Sequence, residues 1–503
     1  MRRLGRFAGF RQGLRGFWDL MQRLSNHTLH LAASGVELPA YDRAAARIGV
    51  VHFGPGAFHR AHQAWYFDEM LKAGGDFAVC AVAVRSSDVA DALTPQDGLY
   101  VLAEREAEPR FRVIGAIKEV LTAPRDPARV LARLADPAVR IVTSTVTEKG
   151  YCLTPAGDLD LDHPDIRRDL EGGATPVSFP RWLAEGLAAR RAARLAPFVV
   201  VSCDNLSDNG DRLRRAVVQF AEAKGDAELA GWIASEVRFP STMVDSITPA
   251  TDDELREKVM GVLGLEDAWP IQRERFVQWV VEDELGDCSG AFAAAGVTLT
   301  HDVAAFEKAK LRLLNGPHST LAYAGLKLGH ETVAEAMQDD RLAGFVERMM
   351  RLDIAASLPP TPGLDVAGYI GAVMARFRNP AIAHKLAQIA WDGSQKLPFR
   401  VLEATAEALA AGRPVTRLAV PIAAWAHFVR GRAQAGESIT DPMADTLLDI
   451  GRRMTGEPAA DVAGLLALRA VFPRAVAEAS AFRAAVEAAY AGLDADPAAV
   501  LSA

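Results

Sequence analysis

The chain has 503 residues, half of them hydrophobic and 24% charged, with a formal net charge of −8. That length exceeds one simple core and points to two domains, and the acidic balance excludes a surface built to hold nucleic acid. No run of about 18 apolar residues is present to span a membrane.

Cys80, Cys152, Cys203 and Cys288 lie far apart, with neither CxxC spacing nor a Cys/His metal pattern. They read as core thiols in a reducing cytoplasm, the expected location. Residues 1–20 carry Arg2, Arg3, Arg6, Arg11 and Arg15 against one acid, Asp19. The segment reads as an extension outside the fold. A targeting or membrane-surface helix is the other reading, but no apolar signal core follows.

RIGVVHFG at 47–54 is a short apolar run ending in glycine and predicts a buried strand. FHRAHQAWYFDEMLKAG has helical spacing and stops at Gly74-Gly75, and FAVCAVAVR at 77–85 predicts the next strand. Strand, glycine turn, helix and strand form the unit of a doubly wound parallel sheet. RIVTSTVTEKG at 140–150 and PFVVVSCDN at 197–205 continue the pattern. Beyond about residue 300, Ala/Leu-rich segments between Gly/Pro stops dominate. The predicted architecture is α/β: a Rossmann-type doubly wound domain over 21–295, then a mostly α-helical domain over 296–503.

The first turn reads Gly54-Pro55-Gly56-Ala57-Phe58-His59. Glycines at 54 and 56 would let the backbone approach a pyrophosphate ahead of a helix N-terminus. The third glycine of the dinucleotide fingerprint is replaced by His59, so the motif alone is weak. The second strand runs into Arg85-Ser86-Ser87-Asp88. Asp88 suits the ribose hydroxyls of NAD and would repel a 2′-phosphate, whereas Arg85 could hold that phosphate. NAD is favoured and NADP stays open.

Three stretches set polar groups after apolar strands or inside an apolar helix: TEKGY at 147–151, CDNL at 203–206 and KLRLLNGPH at 310–318. The carboxyl ends of parallel strands face the ligand, which puts Glu148 and Asn205 on the relevant edge. Oxidising a secondary alcohol without a metal needs a base for the hydroxyl proton and donors for the growing oxyanion. A lysine serves as base when burial or nearby positive charge lowers its pKa from about 10.4. Lys310 fits that need, and Asn205 and Asn315 fit the oxygen cradle. On an ideal helix Lys310 and His318 are about 80° apart, and Pro317 should kink or restart the helix. Glu307, one turn before Lys310, and Glu148 are candidates to pass the proton to solvent. Taken singly, these residues fit a plainer account: a surface lysine, an asparagine near a helix end and a core histidine.

GPGAFHRAHQAWYFDEML, TVTEKGYC, SCDNLSDNG, FPSTMVDSITP, QWVVEDEL, KLRLLNGPHS and DGSQKLP, running in order from about 48 to 400, resemble the signature blocks of the mannitol dehydrogenase family. The resemblance implies a metal-free NAD(P)-dependent oxidoreductase, often monomeric, with substrate between a Rossmann-type and a helical domain. It implies Lys310 as general base, Asn205 and Asn315 as the oxyanion hole, and His318 orienting the substrate oxygen. It further implies Asp245 and Lys396 on the sugar chain, Glu307 in proton release, and Asp88 in NAD preference. TEKGYC, KLRLLNG, DGSQKLP and Gln388 look closest to the mannonate oxidoreductases of the family, so D-mannonate/D-fructuronate is the first expected pair. D-mannitol/D-fructose, or a related hexitol or pentitol, is the alternative. A nucleotide-binding protein without turnover is the reading from another class.

Overall fold

The computed structural model describes residues 21–382 and 384–502, so the extension read at 1–20 lies outside the described residues. The chain divides into two compact units between Val303 and Ala304.

Eleven strands occur among the described residues, all in the first unit. In chain order they are β1 (Ile48–Phe53), β2 (Ala78–Ala83), β3 (Tyr100–Arg105), β4 (Arg110–Ile114), β5 (Ile117–Thr122) and β6 (Ile141–Ser144). After them come β7 (Val199–Ser202), β8 (Thr242–Asp245), β9 (Ile271–Glu274), β10 (Gln278–Glu282) and β11 (Thr298–Thr300). Five form one sheet in the order β5-β2-β1-β6-β7, every pair parallel.

Side chains on β1 alternate between faces, Val51 and Phe53 to one core and Val50 to the other, and all three are 0% exposed. Both faces are covered, which is why the strand reads as an unbroken apolar run. Helices Phe179–Ala192 and Asn209–Ala223 close one face with Trp182, Leu187, Leu213 and Phe220. Helix Gln63–Lys72, Trp279 and Phe292 close the other. Each such buried side chain contributes about 1.5–3 kcal/mol.

Two smaller sheets, β11-β10-β8 and β4-β3-β9, flank this one and were not read from the sequence. In the second, β3 and β4 form an antiparallel hairpin that β9 joins from far along the chain, a pairing no local pattern encodes. The strand predicted over 140–150 stops at Ser144, for a reason found in the site described below. The predicted first helix is also interrupted. It runs Ala57–Ala61, breaks at His62, whose Nε2 lies 2.8 Å from the Gln278 carbonyl, and resumes at Gln63.

Every regular element of the second unit is helical among its described residues. Helix Thr416–Gln434 is its buried axis and packs against Gly316–Lys327, Ala444–Arg453 and Ser480–Ala495. Three of its helical turns widen to π geometry: Leu311–Asn315, Met349–Ile354 and Pro398–Leu402. Such turns are rare and concentrate at functional sites. No helix among the described residues is long and apolar enough to cross a membrane.

Candidate active site

In the five-stranded sheet the chain moves outward from β1 through β2 to β5, and β6 with β7 lie on the opposite side. The direction of winding therefore reverses between β1 and β6, and a doubly wound sheet binds its ligand at the carboxyl end of that gap. Gly54 stands there with φ +88°, where a Cβ would meet the Thr145 carbonyl oxygen at 2.3 Å. Only glycine allows both that conformation and that close approach. A Cβ on Gly56 would meet nothing nearer than 3.9 Å, so open space fronts the turn where a phosphate would approach. The residues present fit a dinucleotide.

His59, in place of the third glycine, is fully buried and stacks on His52 of β1 with ring centroids 3.3 Å apart. Thr143 and Thr145 hydroxyls hold the His52 ring at 2.7 and 3.0 Å. A flat ring thus provides the close helix-to-strand packing that glycine usually gives. Burial pushes His52 down to about 3 and His59 well below its ordinary value, so both rings are neutral. Phe58 is half-buried and stacks on His62 at 4.9 Å.

Asp88 is not at the strand end, as the sequence suggested. β2 stops at Ala83, and Asp88 is exposed as the first residue of helix Asp88–Leu93. Arg85 is exposed and directs its guanidinium to within 3.6 Å of Asp165. Asp165 also belongs to a grouping the spacing did not show: ligand atoms of Cys152, His163 and Asp165 lie within 4.8 Å of one another. His163 Nδ1 already accepts the Asp165 amide as a helix cap, and Arg85 faces the carboxylate.

The sequence missed Asp204, which shapes the edge beyond β6. Its carboxylate accepts the Thr147 amide at 2.7 Å, the Val146 amide at 3.4 Å and the Tyr151 hydroxyl at 2.9 Å. Those bonds draw the chain out of the sheet after Ser144 into a turn with Thr147 at φ +65°, leading to the 3-10 segment Glu148–Tyr151. Burial pushes Asp204 up to about 6, against the pull of these donors. Glu148 and Asn205 are exposed on either side of this clamp, and Asp245, the last residue of β8, is buried. Asn209 is structural: its amide bonds the Asp204 and Thr242 carbonyls, each at 3.0 Å. An acid next to the asparagine at a strand end was the available signal for Asp204.

In the second unit, Lys310 ends helix Val303–Lys310, Asn315 ends the π turn and His318 lies in the first turn of helix Gly316–Lys327. Pro317 has no N–H and its ring crowds the carbonyl four residues back. The helix does not restart, as one reading of the sequence suggested. It widens, and the Gly316 amide donates to the Leu311 carbonyl, five residues back. The angles of an ideal α-helix therefore do not hold across this segment. A Cβ on Gly316 would lie 2.7 Å from the Arg400 carbonyl oxygen, so glycine lets two π turns meet. Leu313 and Leu314 are buried, whereas Leu311, Lys310, Asn315 and Glu307 are half-buried. Lys310 is less enclosed than the sequence suggested.

His318 is 7% exposed, against Phe377 at 4.6 Å and edge-on to His384 at 5.2 Å. Burial, with His384, Arg376 and Arg400 nearby, pushes its pKa well below the usual value and keeps it neutral. A neutral imidazole both donates and accepts, which suits holding a hydroxyl. Lys396 donates to the Trp391 carbonyl at 2.6 Å and lies 3.7 Å from Asp392. Burial and Arg400 lower its pKa.

The family profile of the mannitol dehydrogenase Rossmann domain matches residues 48–288, and that of the mannitol dehydrogenase C-terminal domain matches 302–494. A mannitol 2-dehydrogenase of Pyrenophora tritici-repentis is 40% identical over 423 residues, covering 82% of this chain and 75% of that protein. The uncharacterised oxidoreductase YeiQ of Escherichia coli is 41% identical over 444 residues, covering 87% and 90%. Among solved structures, Pseudomonas fluorescens mannitol 2-dehydrogenase, in ternary complex with NAD and D-mannitol, superposes with a TM-score of 0.77. It is 36% identical, over 96% of this chain and 99% of that one. A substrate-free D-sorbitol dehydrogenase gives a TM-score of 0.88 at 32% identity, over 95% and 99%. The chain belongs to the mannitol dehydrogenase family, whose members are secondary-alcohol oxidoreductases.

Proposed function

We propose that the protein catalyses reversible oxidation of a polyol to its 2-keto sugar with NAD, D-mannitol to D-fructose being the leading pair. The observation that carries this is likeness over nearly the whole chain to an enzyme solved with NAD and D-mannitol, together with a segment holding Lys310, Asn315 and His318. The polyol takes precedence over the hexonate first expected from the sequence, since several relatives that span most of the chain are mannitol 2-dehydrogenases.

In this reading NAD supplies the hydride acceptor when bound. Lys310 takes the hydroxyl proton, and the Asn205 and Asn315 amides donate to the oxygen as charge grows on it. Neutral His318 fixes that oxygen, Asp245 and Lys396 hold the sugar chain, and Glu307 and Glu148 pass protons to solvent. Gly54, Gly56 and Phe58 form the pyrophosphate turn, and Asp88 takes the ribose. Arg85 is drawn toward Asp165, which favours NAD over NADP.

One observation favours a sugar acid as the second reading. Arg376 and Arg400 place positive charge beside His318, and no acidic side chain among the described residues pairs with Arg400, which donates to Ser319 Oγ at 3.1 Å. Following nicotinamide absorbance with D-fructose and D-fructuronate, each with NADH and NADPH, separates the two. The proposal expects fructose to be reduced faster and with NADH. Faster reduction of fructuronate transfers the assignment to the hexonate.

A further inference from the structure

Between Lys310 and Asn315 lies a residue that the proposed chemistry does not use. Arg312 sits inside the π turn with its side chain only 2% exposed. Its guanidinium grips Glu407 in fork geometry, Nη1 to Oε2 at 2.7 Å and Nη2 to Oε1 at 2.8 Å. Nη1 also donates to the Ser357 hydroxyl at 2.8 Å and to the Ser357 carbonyl at 3.2 Å. Lys308 adds a third bond to Glu407 at 3.0 Å.

These partners come from two other places. Glu407 lies on helix Glu403–Ala410, which runs directly out of the π turn Pro398–Leu402. Ser357 ends the 3-10 turn Ala355–Ser357, which runs directly out of the π turn Met349–Ile354, and its hydroxyl donates to the Ile354 carbonyl. One guanidinium therefore joins the first π turn to the elements that run directly out of the other two. The first carries Asn315 and is flanked by Lys310 and His318. The third carries Arg400 and follows directly on helix Gly393–Leu397, which carries Lys396. A π turn holds one residue more than an α turn, and such turns are rare. A planar fork supplies direction as well as charge, which a lysine at the same place would not.

We propose that Arg312 and Glu407 form a positioning pair that fixes the distance between the segment carrying the base and the segment holding the sugar chain. Neither residue touches the reacting atoms in this account. They act by holding the first π turn open at one width, so that Lys310 and Asn315 meet the same oxygen. The inference rests on the reading of Lys310 and Asn315 as catalytic. A shift of about 1 Å at such groups costs up to about 100-fold in rate.

The test compares Arg312→Lys, Glu407→Gln, the double variant and Lys310→Ala in the full-length enzyme. Each is assayed for polyol oxidation between pH 6 and 10, well below its own melting temperature, and titrated with NADH. Arg312→Lys and Glu407→Gln should each lower kcat about 10- to 100-fold with NADH affinity unchanged. The double variant should be no worse than the weaker single, since both break one interaction. The acidic limb of the pH profile should move, because the surroundings of the base change. Wild-type kcat in both single variants, or an unmoved acidic limb in folded protein, assigns the pair to folding alone and overturns the proposal. Lys310→Ala separates the two levels. Its retained turnover defeats the reading of the base, whereas an inactive Lys310→Ala beside a wild-type Arg312→Lys defeats only the clamp.

Discussion

Each unit fastens a segment of the proposed machinery with one carboxylate, and the two do so by opposite electrostatics. Asp204, 7% exposed, meets only neutral donors: two backbone amides, Tyr151 and Ser144. Burial outweighs those bonds and pushes it up to about 6. Glu407, its side chain 41% exposed, meets Arg312 and Lys308 and is held down to about 2. A buried acid with neutral partners shapes a loop at a cost in ionisation, and a paired acid shapes a helix turn with a gain.

A large expected effect asks whether the two fastened segments do equal work. Asn205→Ala and Asn315→Ala should each lower kcat for polyol oxidation about 10²–10³-fold, as loss of one oxyanion donor does, with NADH affinity kept. A loss at Asn315 alone would break the symmetry and leave the first unit with cofactor binding only.

A smaller effect separates the two carboxylates by pH. Asp204 has a folded pKa above its ordinary 3.8, so its contribution to stability is fullest below about pH 4 and is lost as pH rises to about 6. The span is worth about 3 kcal/mol. Glu407 has a folded pKa below its ordinary 4.5, so its contribution is complete above that value and is lost as pH falls toward 2. Urea unfolding of the wild type against Asp204→Asn should therefore show the wild type losing ground between pH 4.5 and 6.5. Against Glu407→Gln the gap should stay level over the same range. Parallel curves in the first comparison would mean that Asp204 stays ionised throughout.

The parts legible in the sequence are those encoded by short patterns. Val50, Val51 and Phe53 could be read as a doubly covered strand because burial on both faces leaves no polar position. The helical second unit showed in its lack of β-branched runs. The early end of β6 was not legible, because it depends on Asp204 reaching back from the end of β7. The π turn was half legible: Pro317 announced a disturbance, but the neighbours of the widened turn, the Arg400 carbonyl and the Glu407 carboxylate, lie far along the chain. His59 shows the same limit, since a missing glycine looked like a weakened motif until His52 was found beneath it.

The most direct measurement on the central claim is Lys310→Ala, compared with wild type for NADH binding and for polyol oxidation at pH 7. The account predicts NADH affinity within about twofold and a loss in kcat of about 10²–10⁴-fold, the usual share of a general base. Turnover close to wild type would contradict it and place the proton acceptor on another residue.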